Sequence, residues 1–218
     1  MKLGIITYDV PHLKTQQLIQ GLLDKNYELS LYITKFKKYK NREVLINHRP
    51  HQFVGKSSIE LANYYKLNLY EIDDIEKKEN INYYLIGGSA LIDNKYIVKD
   101  KIINSHPGLV PSVRGLDAFK WSILKNINVG NTLHFINENV DDGRIISLLE
   151  TPVKKNDTIE TLSKRHYECE ISILINFEDH MNNPNYLKLP EYEPNKRMNI
   201  ELEKKVLNFF PEYMRNRI

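Results

Sequence analysis

The sequence predicts an α/β fold, in which helices cover both faces of a mostly parallel sheet. Short apolar runs such as Leu3–Tyr8 and Tyr83–Ile86 are typical of buried strands. Between them, segments such as Lys14–Lys25 carry apolar residues at helical spacing. Because a strand, a helix and a second strand in succession keep both strands in the same direction, this order favours a parallel sheet.

The first half of the chain supplies most of the predicted sheet. Its first helix, Lys14–Lys25, turns Leu18, Ile19, Leu22 and Leu23 inward. The turn before that helix contains no glycine-rich loop, so the main support for a nicotinamide-binding protein is missing. The further elements predicted here are strands over Tyr27–Thr34, Leu69–Ile72 and Tyr83–Ile86, and a helix over Ser58–Lys66 with Ser57 or Ser58 as its cap.

The second half of the chain adds helices and a further strand. Asp157 with Glu160 forms an acidic variant of the capping box and opens a helix that reaches about Met181. His134 lies in the alternating run Thr132–Ile136, which indicates a structural residue of a strand. The other helices are predicted over Leu116–Asn126 and Ile200–Phe210.

A chain of 218 residues suits one domain with an extension. We expect the domain to occupy residues 1–181. The C-terminal extension, residues 182–218, is polar and spaced by prolines up to its last helix. Its aromatic residues are suited to covering either the domain itself or the partner in a homodimer, and no pattern decides between the two.

Composition excludes several classes of protein. A net charge of +3 is too small to indicate a nucleic-acid-binding protein, and no window approaches eighteen apolar residues, so no membrane span is expected. One cysteine excludes an internal disulfide framework, and the N-terminus does not resemble a signal peptide, so we expect a cytoplasmic protein. His48, Arg49 and His51 are not joined by a cysteine or carboxylate cluster, and no metal is predicted.

The stretch Ile102–Gly115 carries the residues that most favour chemistry. An amide, Asn104, and an imidazole, His106, follow a short apolar run that fits the end of a strand. On extended backbone, residues two apart point to the same side, so both side chains would project into one cleft. The prolines and glycines after His106 exclude a regular element and indicate a rigid loop. Such loops at strand ends are where α/β proteins place functional residues.

Each candidate residue also has a structural interpretation when taken alone. A lone His106 is more often a hydrogen-bonded structural histidine, and Asn104 can be a turn residue that bonds its own backbone. Asp141, in the sequence V-D-D-G, is a suitable hairpin-turn residue. Their order, and the flanking segments P-G-L-V-P and H-F-I, favour a functional interpretation for the three together.

The motif N-x-H-P-G-L-V-P…R-G, followed by G-N-T-L-H-F-I-x-E-x-V-D-x-G-R-I-I, resembles the formyltransferases that use N10-formyltetrahydrofolate. The resemblance covers roughly Tyr83–Met181 and is greatest to the small sugar N-formyltransferases. It implies a Rossmann-like formyltransferase fold with residues 1–181 as the catalytic domain. It also implies that Asn104, His106 and Asp141 are the catalytic residues, since the family's aspartate lies two residues before the glycine, here Gly143.

The resemblance also implies N10-formyltetrahydrofolate as the formyl donor. Gly87 and Gly88, after the fourth strand, would let a flat ligand approach the backbone closely. The sequence departs from the family at Ala90, where some relatives carry arginine. The residues implied to contact the folate are Ser89, Ala90, Leu91, Asn137, Glu138 and Asn139.

The acceptor is inferred by elimination to be an amino sugar carried on a nucleotide, with its diphosphate near Arg114 or the basic loop. The alternative role of Arg114 is to pair within its own loop. The C-terminal extension is too short for the second domain of methionyl-tRNA formyltransferase, and the first turn lacks the phosphate loop of glycinamide ribonucleotide formyltransferase. The basic run Lys35–Arg42, in the polar loop 35–56, is either a further phosphate-binding element or a solvated loop. Three other functions stay open. One is a formyltransferase of the glycinamide ribonucleotide or methionyl-tRNA type, the second is a non-catalytic relative that binds folate or a nucleotide sugar, and the third is hydrolysis of formyltetrahydrofolate with water as the acceptor.

Overall fold

The computed structural model describes residues 1–37, 42–139, 141 and 143–218. Its strands are β1 Lys2–Tyr8, β2 Glu28–Thr34, β3 Asn68–Glu71, β4 Tyr83–Ile86, β5 Ile102–His106, β6 Gly130–Phe135 and β7 Ile145–Glu150. They form one seven-stranded sheet in the order β3-β2-β1-β4-β5-β6-β7. β1 pairs in parallel with β2 and β4, β2 with β3, and β4 with β5, whereas β6 and β7 are antiparallel. The predicted α/β class with a mostly parallel sheet is confirmed.

Helices alternate with the first strands and dominate the C-terminal part of the chain. They are α1 Leu13–Asp24, α2 Ser58–Tyr65, α3 Ala118–Leu124, α4 Ile159–Ile175, α5 Phe177–Asn182 and α6 Ile200–Arg215. Short 3-10 turns occupy Ile72–Asp74 and Asn94–Tyr96. Within the described ranges, no helix is both long and apolar enough to cross a membrane.

The chain divides into two compact units, and the first contains β1 to β4 with most of β5. Five successive residues of β1 are buried, as expected for a strand that is covered on both faces. Gly4 on this strand lies under the ring of Tyr84, where an added Cβ would be 2.7 Å from Cε1. The described residues of this unit fall within Met1–Tyr39, His51–Asn104 and Phe135–Glu138, and its core includes Ile6, Tyr32, Ile75, Ile81, Tyr84 and Ile102.

The second unit contains α3 to α6, β7 and most of β6, within Lys40–Pro50, Ser105–His134 and Asn139–Ile218. Its core joins α6 to α3 and α4 through apolar side chains that include Phe119, Ile123, Leu162, Met198, Val206 and Tyr213. A fully buried ion pair lies in the same region, with Lys120 Nζ 2.6 Å from Glu203 Oε1. The predicted division between residues 1–181 and 182–218 stays a prediction.

Of the two predicted helix caps, the one of α2 is correct and the one of α4 is wrong. Ser57 caps α2, because its hydroxyl accepts from the Glu60 backbone N–H while the Glu60 carboxylate accepts from the Ser57 N–H. Asp157, by contrast, does not cap α4. Thr158 takes that place with Thr161, and Asp157 instead forms an ion pair with Arg165, at 2.6 Å.

The ends of the last two predicted helices also differ from expectation. The helix expected to reach Met181 ends at Ile175, and α5 begins after the intervening Asn176. The helix expected to end at Phe210 continues through Pro211 to Arg215. A proline removes one backbone hydrogen bond from a helix, but Tyr213 and Met214 beyond it are buried in the core of the second unit. Their burial therefore holds the last turn in place.

His166 on α4 is a buried imidazole that gives the second unit a pH-dependent stability. Its side chain is 1% exposed, and Nδ1 lies 2.9 Å from the Thr151 hydroxyl. Burial and the positive charge of Arg49 lower the pKa of His166 from 6.5 to about 4. The carboxylate of Glu170 raises this pKa, but by a smaller amount. The Phe119 ring packs against the imidazole at 5.2 Å. His166 is therefore neutral in the folded protein near pH 7.

We expect the free energy of unfolding to decrease as the pH falls from 6.5 towards 4. In this interval the unfolded chain binds a proton at His166 and the folded chain does not, so the unfolded state gains up to about 3 kcal/mol. Urea titrations at several pH values should show this loss in the wild type and a weaker one in His166→Gln, which does not titrate. Parallel pH profiles for the two proteins would contradict the assignment.

Candidate functional site

His106 is the last residue of β5, and both of its ring nitrogens face hydrogen-bond acceptors. Its side chain is 4% exposed. Nδ1 lies 3.2 Å from Asp141 Oδ2, and Nε2 lies 2.9 Å from the backbone oxygen of Val113. A neutral imidazole can donate only one of these bonds, whereas an imidazolium donates both. The geometry therefore suits a protonated His106.

Asp141 is held as a carboxylate that faces His106. Burial raises the pKa of Asp141, but the hydrogen bond and the charge of His106, together with the backbone N–H of Gly115, lower it overall. Gly115 N donates to the same oxygen, Oδ2, at 3.0 Å. The backbone of Asp141 has a φ of 50°, a left-handed conformation that aspartate and asparagine tolerate better than most residues. A fixed negative charge thus lies beside the imidazole.

The loop after His106 folds back under the imidazole, and Gly108 is the residue that permits this. A Cβ at Gly108 would lie 2.9 Å from His106 Nε2 and 2.9 Å from the Cβ of Ala118. Thr132 on β6 fixes the same loop, because its hydroxyl donates to the Gly108 oxygen at 2.6 Å and accepts from the Val110 N–H at 3.0 Å. Sequence reasoning missed Thr132, since a strand threonine carries no signal of a loop contact.

Asn104 lies on β5 two residues before His106. The strand continues through His106, so the imidazole belongs to the strand and not, as its predicted end at Ile103 implied, to the following loop. The side chain of Asn104 is half-buried. Residues two apart on a strand point to the same side. The structure thus places the amide and the imidazole on one side of β5 and pairs the imidazole with Asp141.

The loop after β4 begins with two glycines whose close contacts are with the protein itself. Their N–H groups both donate to the Ile6 oxygen, at 2.9 and 3.2 Å. A Cβ at Gly87 would lie 2.8 Å from the Thr15 hydroxyl, and one at Gly88 would lie 2.7 Å from the His12 ring. The glycines were expected to admit a flat ligand. In the structure they also let this loop pack against the first turn of α1.

The predicted folate-contacting residues lie on two loops that follow strands. Ser89 and Ala90 are half-buried, and the Leu91 side chain is 83% exposed. Asn137 and Glu138 follow β6 and Asn139 comes next, and all three are exposed. Ile136, directly before them, donates its N–H to the Ile102 oxygen at 2.9 Å, which ties the start of this loop to β5.

Two of the predicted phosphate-binding cations, Arg114 and Arg42, have partners within the second unit. Arg114 Nη2 lies 3.9 Å from Glu191 Oε1. Arg42, the last residue of the basic run Lys35–Arg42, donates to the Met198 oxygen at 2.8 Å and pairs with Asp117 at 3.2 Å. Residues 38–41 of that run lie outside the described residues, and Lys35 and Lys37 are exposed. Arg42 therefore has a structural role.

The histidines of the polar loop do not assemble a metal site. Arg49 pairs with Glu170 at 2.7 Å, and burial lowers the pKa of His48 well below its ordinary range. In the described part of the chain, no three histidine, cysteine or acidic side chains are grouped so as to hold a metal ion.

Comparisons with known proteins concern the family and the fold of the chain. The family described as Formyl transferase matches residues 16–177. The trifunctional purine biosynthetic protein adenosine-3 of Gallus gallus is 42% identical over 89 residues, which are 39% of this chain and 9% of that protein. Phosphoribosylglycinamide formyltransferase of Bacillus subtilis (strain 168) is 30% identical over 122 residues, 56% of this chain and 60% of that enzyme. The chain thus spans less than two thirds of both curated relatives.

A solved structure extends the similarity over nearly the whole chain. WlaRD, a sugar 3N-formyl transferase crystallised in the presence of dTDP and 5-N-formyl-THF, has a TM-score of 0.61 and 21% identity. The match covers 98% of this chain and 81% of that one. At this identity the likeness concerns the fold, and it includes the C-terminal part that lies beyond residue 177.

Proposed function

The chain belongs to the formyl transferase family, and we propose that it transfers a formyl group from N10-formyltetrahydrofolate to a primary amine. The observation that carries this proposal is the pairing of His106 with Asp141, at 3.2 Å, at the end of β5 and within the matched residues 16–177. Asn104 on the same strand completes the predicted catalytic set.

Formyl transfer needs stabilisation of negative charge more than it needs a nucleophilic side chain. When the amine attacks the formyl carbon, the carbonyl oxygen becomes an oxyanion on a tetrahedral carbon. The intermediate would then collapse as the bond from this carbon to N10 breaks, and tetrahydrofolate would leave with a proton at N10 that balances the one the amine loses. An imidazolium at His106 offers a full positive charge to that oxygen, and the Asn104 amide offers an N–H donor. The described cysteine, Cys169, lies on α4, where burial raises its pKa, so it is not suited to covalent catalysis.

Asp141 has two roles in this mechanism. Its carboxylate stabilises the proton on Nδ1 of His106 and fixes the plane of the ring, because Gly115 N–H and His106 share its Oδ2 atom. It can also help to remove the proton that the attacking amine releases, through a water molecule. Both roles require the ionised form, which its lowered pKa provides near pH 7.

The donor would supply an activated formyl group, and two loops offer the groups to hold it. Backbone N–H and C=O groups of Ser89 to Leu91 can bond the edge of a pterin, and the Leu91 side chain, 83% exposed, offers an apolar contact for its face. We propose Asn137, Glu138 and Asn139 as the second set of contacts. They follow β6, as Ser89 to Leu91 follow β4.

For the acceptor we propose an amino sugar linked to a nucleotide diphosphate. The fold similarity to a sugar 3N-formyl transferase over 98% of this chain supports this class. Arg114 would bind the phosphates from the same loop that follows His106. The second candidate is glycinamide ribonucleotide, which the higher identity to the Bacillus subtilis enzyme favours.

The proposed function is tested by an acceptor screen. The protein is incubated with formyltetrahydrofolate and, separately, with dTDP- and UDP-linked amino sugars and with glycinamide ribonucleotide. Mass spectrometry should detect the formylated product of one class. A reaction without acceptor measures hydrolysis of the donor, and calorimetry with a stable folate analogue measures binding. If no amine is formylated and folate does not bind, the proposal is wrong.

A further inference from the structure

We propose that the segment Pro190–Met198, the C-terminal clamp, positions the catalytic pair, and that Asn195 is its central positioning residue. The inference rests on the proposed function of His106 and Asp141. The clamp lies beyond the residues 16–177 that match the family, so the family motifs do not predict it. It reaches the pair through the loop that follows His106 within the second unit.

Asn195 binds the backbone on both sides of Gly115. Its N–H donates to the Arg114 oxygen at 2.8 Å, and its oxygen accepts from the Leu116 N–H at 2.9 Å. Its side-chain amide donates to the Arg114 oxygen as well, at 2.9 Å. The two backbone segments thus form a short parallel β-bridge between Gly115 and Asn195. Three hydrogen bonds fix the orientation of the Gly115 peptide.

The backbone conformation of Gly115 and the space around it fit the contact with Asn195. Its φ is +90°, and a Cβ there would lie 2.5 Å from the Asn195 oxygen and 2.8 Å from the Asn195 nitrogen. Both a positive φ and so close an approach of two backbones require glycine. The loop backbone at Gly115 and the clamp backbone at Asn195 therefore lie so close together that no side chain fits between them.

The contact is transmitted to His106 through one carboxylate oxygen. Gly115 N donates to Asp141 Oδ2 at 3.0 Å, and Oδ2 is also the atom that lies 3.2 Å from His106 Nδ1. If Asn195 released the peptides on either side of Gly115, this N–H would reorient and Oδ2 would lose one of its two partners. The carboxylate could then rotate away from the imidazole.

Flanking contacts attach the rest of the clamp to the same loop and to α3. Ser112 Oγ donates to the Pro190 oxygen at 2.5 Å, Trp121 Nε1 donates to the Lys196 oxygen at 2.7 Å, and the Met198 N–H donates to Asp117 Oδ2 at 2.9 Å. In all three bonds the group that the clamp contributes is a backbone group. The clamp is thereby anchored at both ends, and the Asn195 side chain adds a hydrogen bond to the Arg114 oxygen next to Gly115.

The test compares Asn195→Ala with a matched control, Asn185→Ala. Asn185 also donates its side-chain amide to a backbone oxygen, that of Leu148 at 3.1 Å, but on β7 and not on the catalytic loop. We expect Asn195→Ala to lower kcat by about tenfold with KM for the folate donor changed by less than about twofold. Asn185→Ala should retain wild-type kcat at a similar Tm.

A second readout does not depend on any substrate. In protein with 13C-labelled histidine, the His106 resonance is assigned from its absence in His106→Gln and compared between variants at one pH. Its chemical shifts should change in Asn195→Ala and in Gly115→Ala, and stay as in the wild type in Asn185→Ala. Unchanged His106 chemical shifts and kcat in Asn195→Ala would overturn the inference. An inactive wild type whose His106 signal still responds to Asn195→Ala would instead refute the proposed function alone.

Discussion

We expect the replacement of His106 with alanine or of Asp141 with asparagine to lower the turnover number for the proposed formyl transfer by about a hundred-fold or more. The first change removes the positive charge that would stabilise the oxyanion, and loss of one such group typically costs this much. The second leaves His106 Nδ1 facing a neutral amide instead of a carboxylate at 3.2 Å. Because asparagine tolerates the left-handed backbone at position 141, Asp141→Asn preserves the local fold. Steady-state kinetics with the identified acceptor measure both effects.

A control variant at another histidine shows whether the loss of turnover is specific to His106. His180 on α5 also lies in the second unit, where Nδ1 is 3.2 Å from the Ser147 hydroxyl. His180→Ala should keep kcat within about twofold of the wild type, since its ring is outside the predicted catalytic set. If folded His106→Ala and Asp141→Asn both turn over at the wild-type rate, the mechanism proposed for the pair is wrong.

Replacing Glu203 with alanine destabilises the protein by about 3 to 5 kcal/mol, because it leaves Lys120 as a buried charge without its partner. Neither side chain of the pair is exposed to solvent, and Nζ lies 2.6 Å from Oε1. Burial raises the pKa of Glu203, but Lys120 and the N–H groups of Leu45 and Ile46 lower it overall. The carboxylate thus satisfies three donors. Urea denaturation at pH 7 measures the loss.

The same helix provides the matched control. Glu201 pairs with Lys204 at 3.0 Å, but both side chains are more than half exposed. Glu201→Ala should change the free energy of unfolding by less than about 0.5 kcal/mol, as exposed pairs do. The double variant Lys120→Met with Glu203→Ala should recover part of the stability, since no unpaired charge remains. Equal losses in Glu203→Ala and Glu201→Ala would contradict the role assigned to burial.

The sequence was sufficient to predict the elements that depend on residues close to one another in the chain. β4 has the predicted bounds, Tyr83–Ile86, because its apolar residues lie between Asn82 and a pair of glycines. The cap of α2 was predicted at Ser57 or Ser58, and the structure places it at Ser57. The cap of α4 was not, because Asp157 has a stronger partner in Arg165, eight residues further on, than the free N–H groups of the helix.

The candidate site was predictable only where side chains carry the chemistry. The spacing of the motif identified His106 and Asp141, which the structure brings together. Thr132 and Asn195 were not identifiable, since they act on backbone groups 24 and 81 residues away and any residue offers such groups. The glycines after β4 illustrate the same limit. A pair of glycines indicates a close approach but does not say what approaches, and here the first turn of α1 does.

The buried carboxylate of Glu203 also has a consequence for biosynthesis. Lys120 leaves the ribosome 83 residues before the group that neutralises it, and the backbone donors at Leu45 and Ile46 precede that group by 158 and 157 residues. Until α6 has been translated, the nascent chain lacks the carboxylate that lies 2.6 Å from Lys120 Nζ, and the other acidic neighbour of this lysine, Asp117, is more distant, at 3.9 Å. Contacts this distant in sequence form slowly. The second unit is therefore expected to close after translation of α6, with its apolar core exposed to chaperones until then.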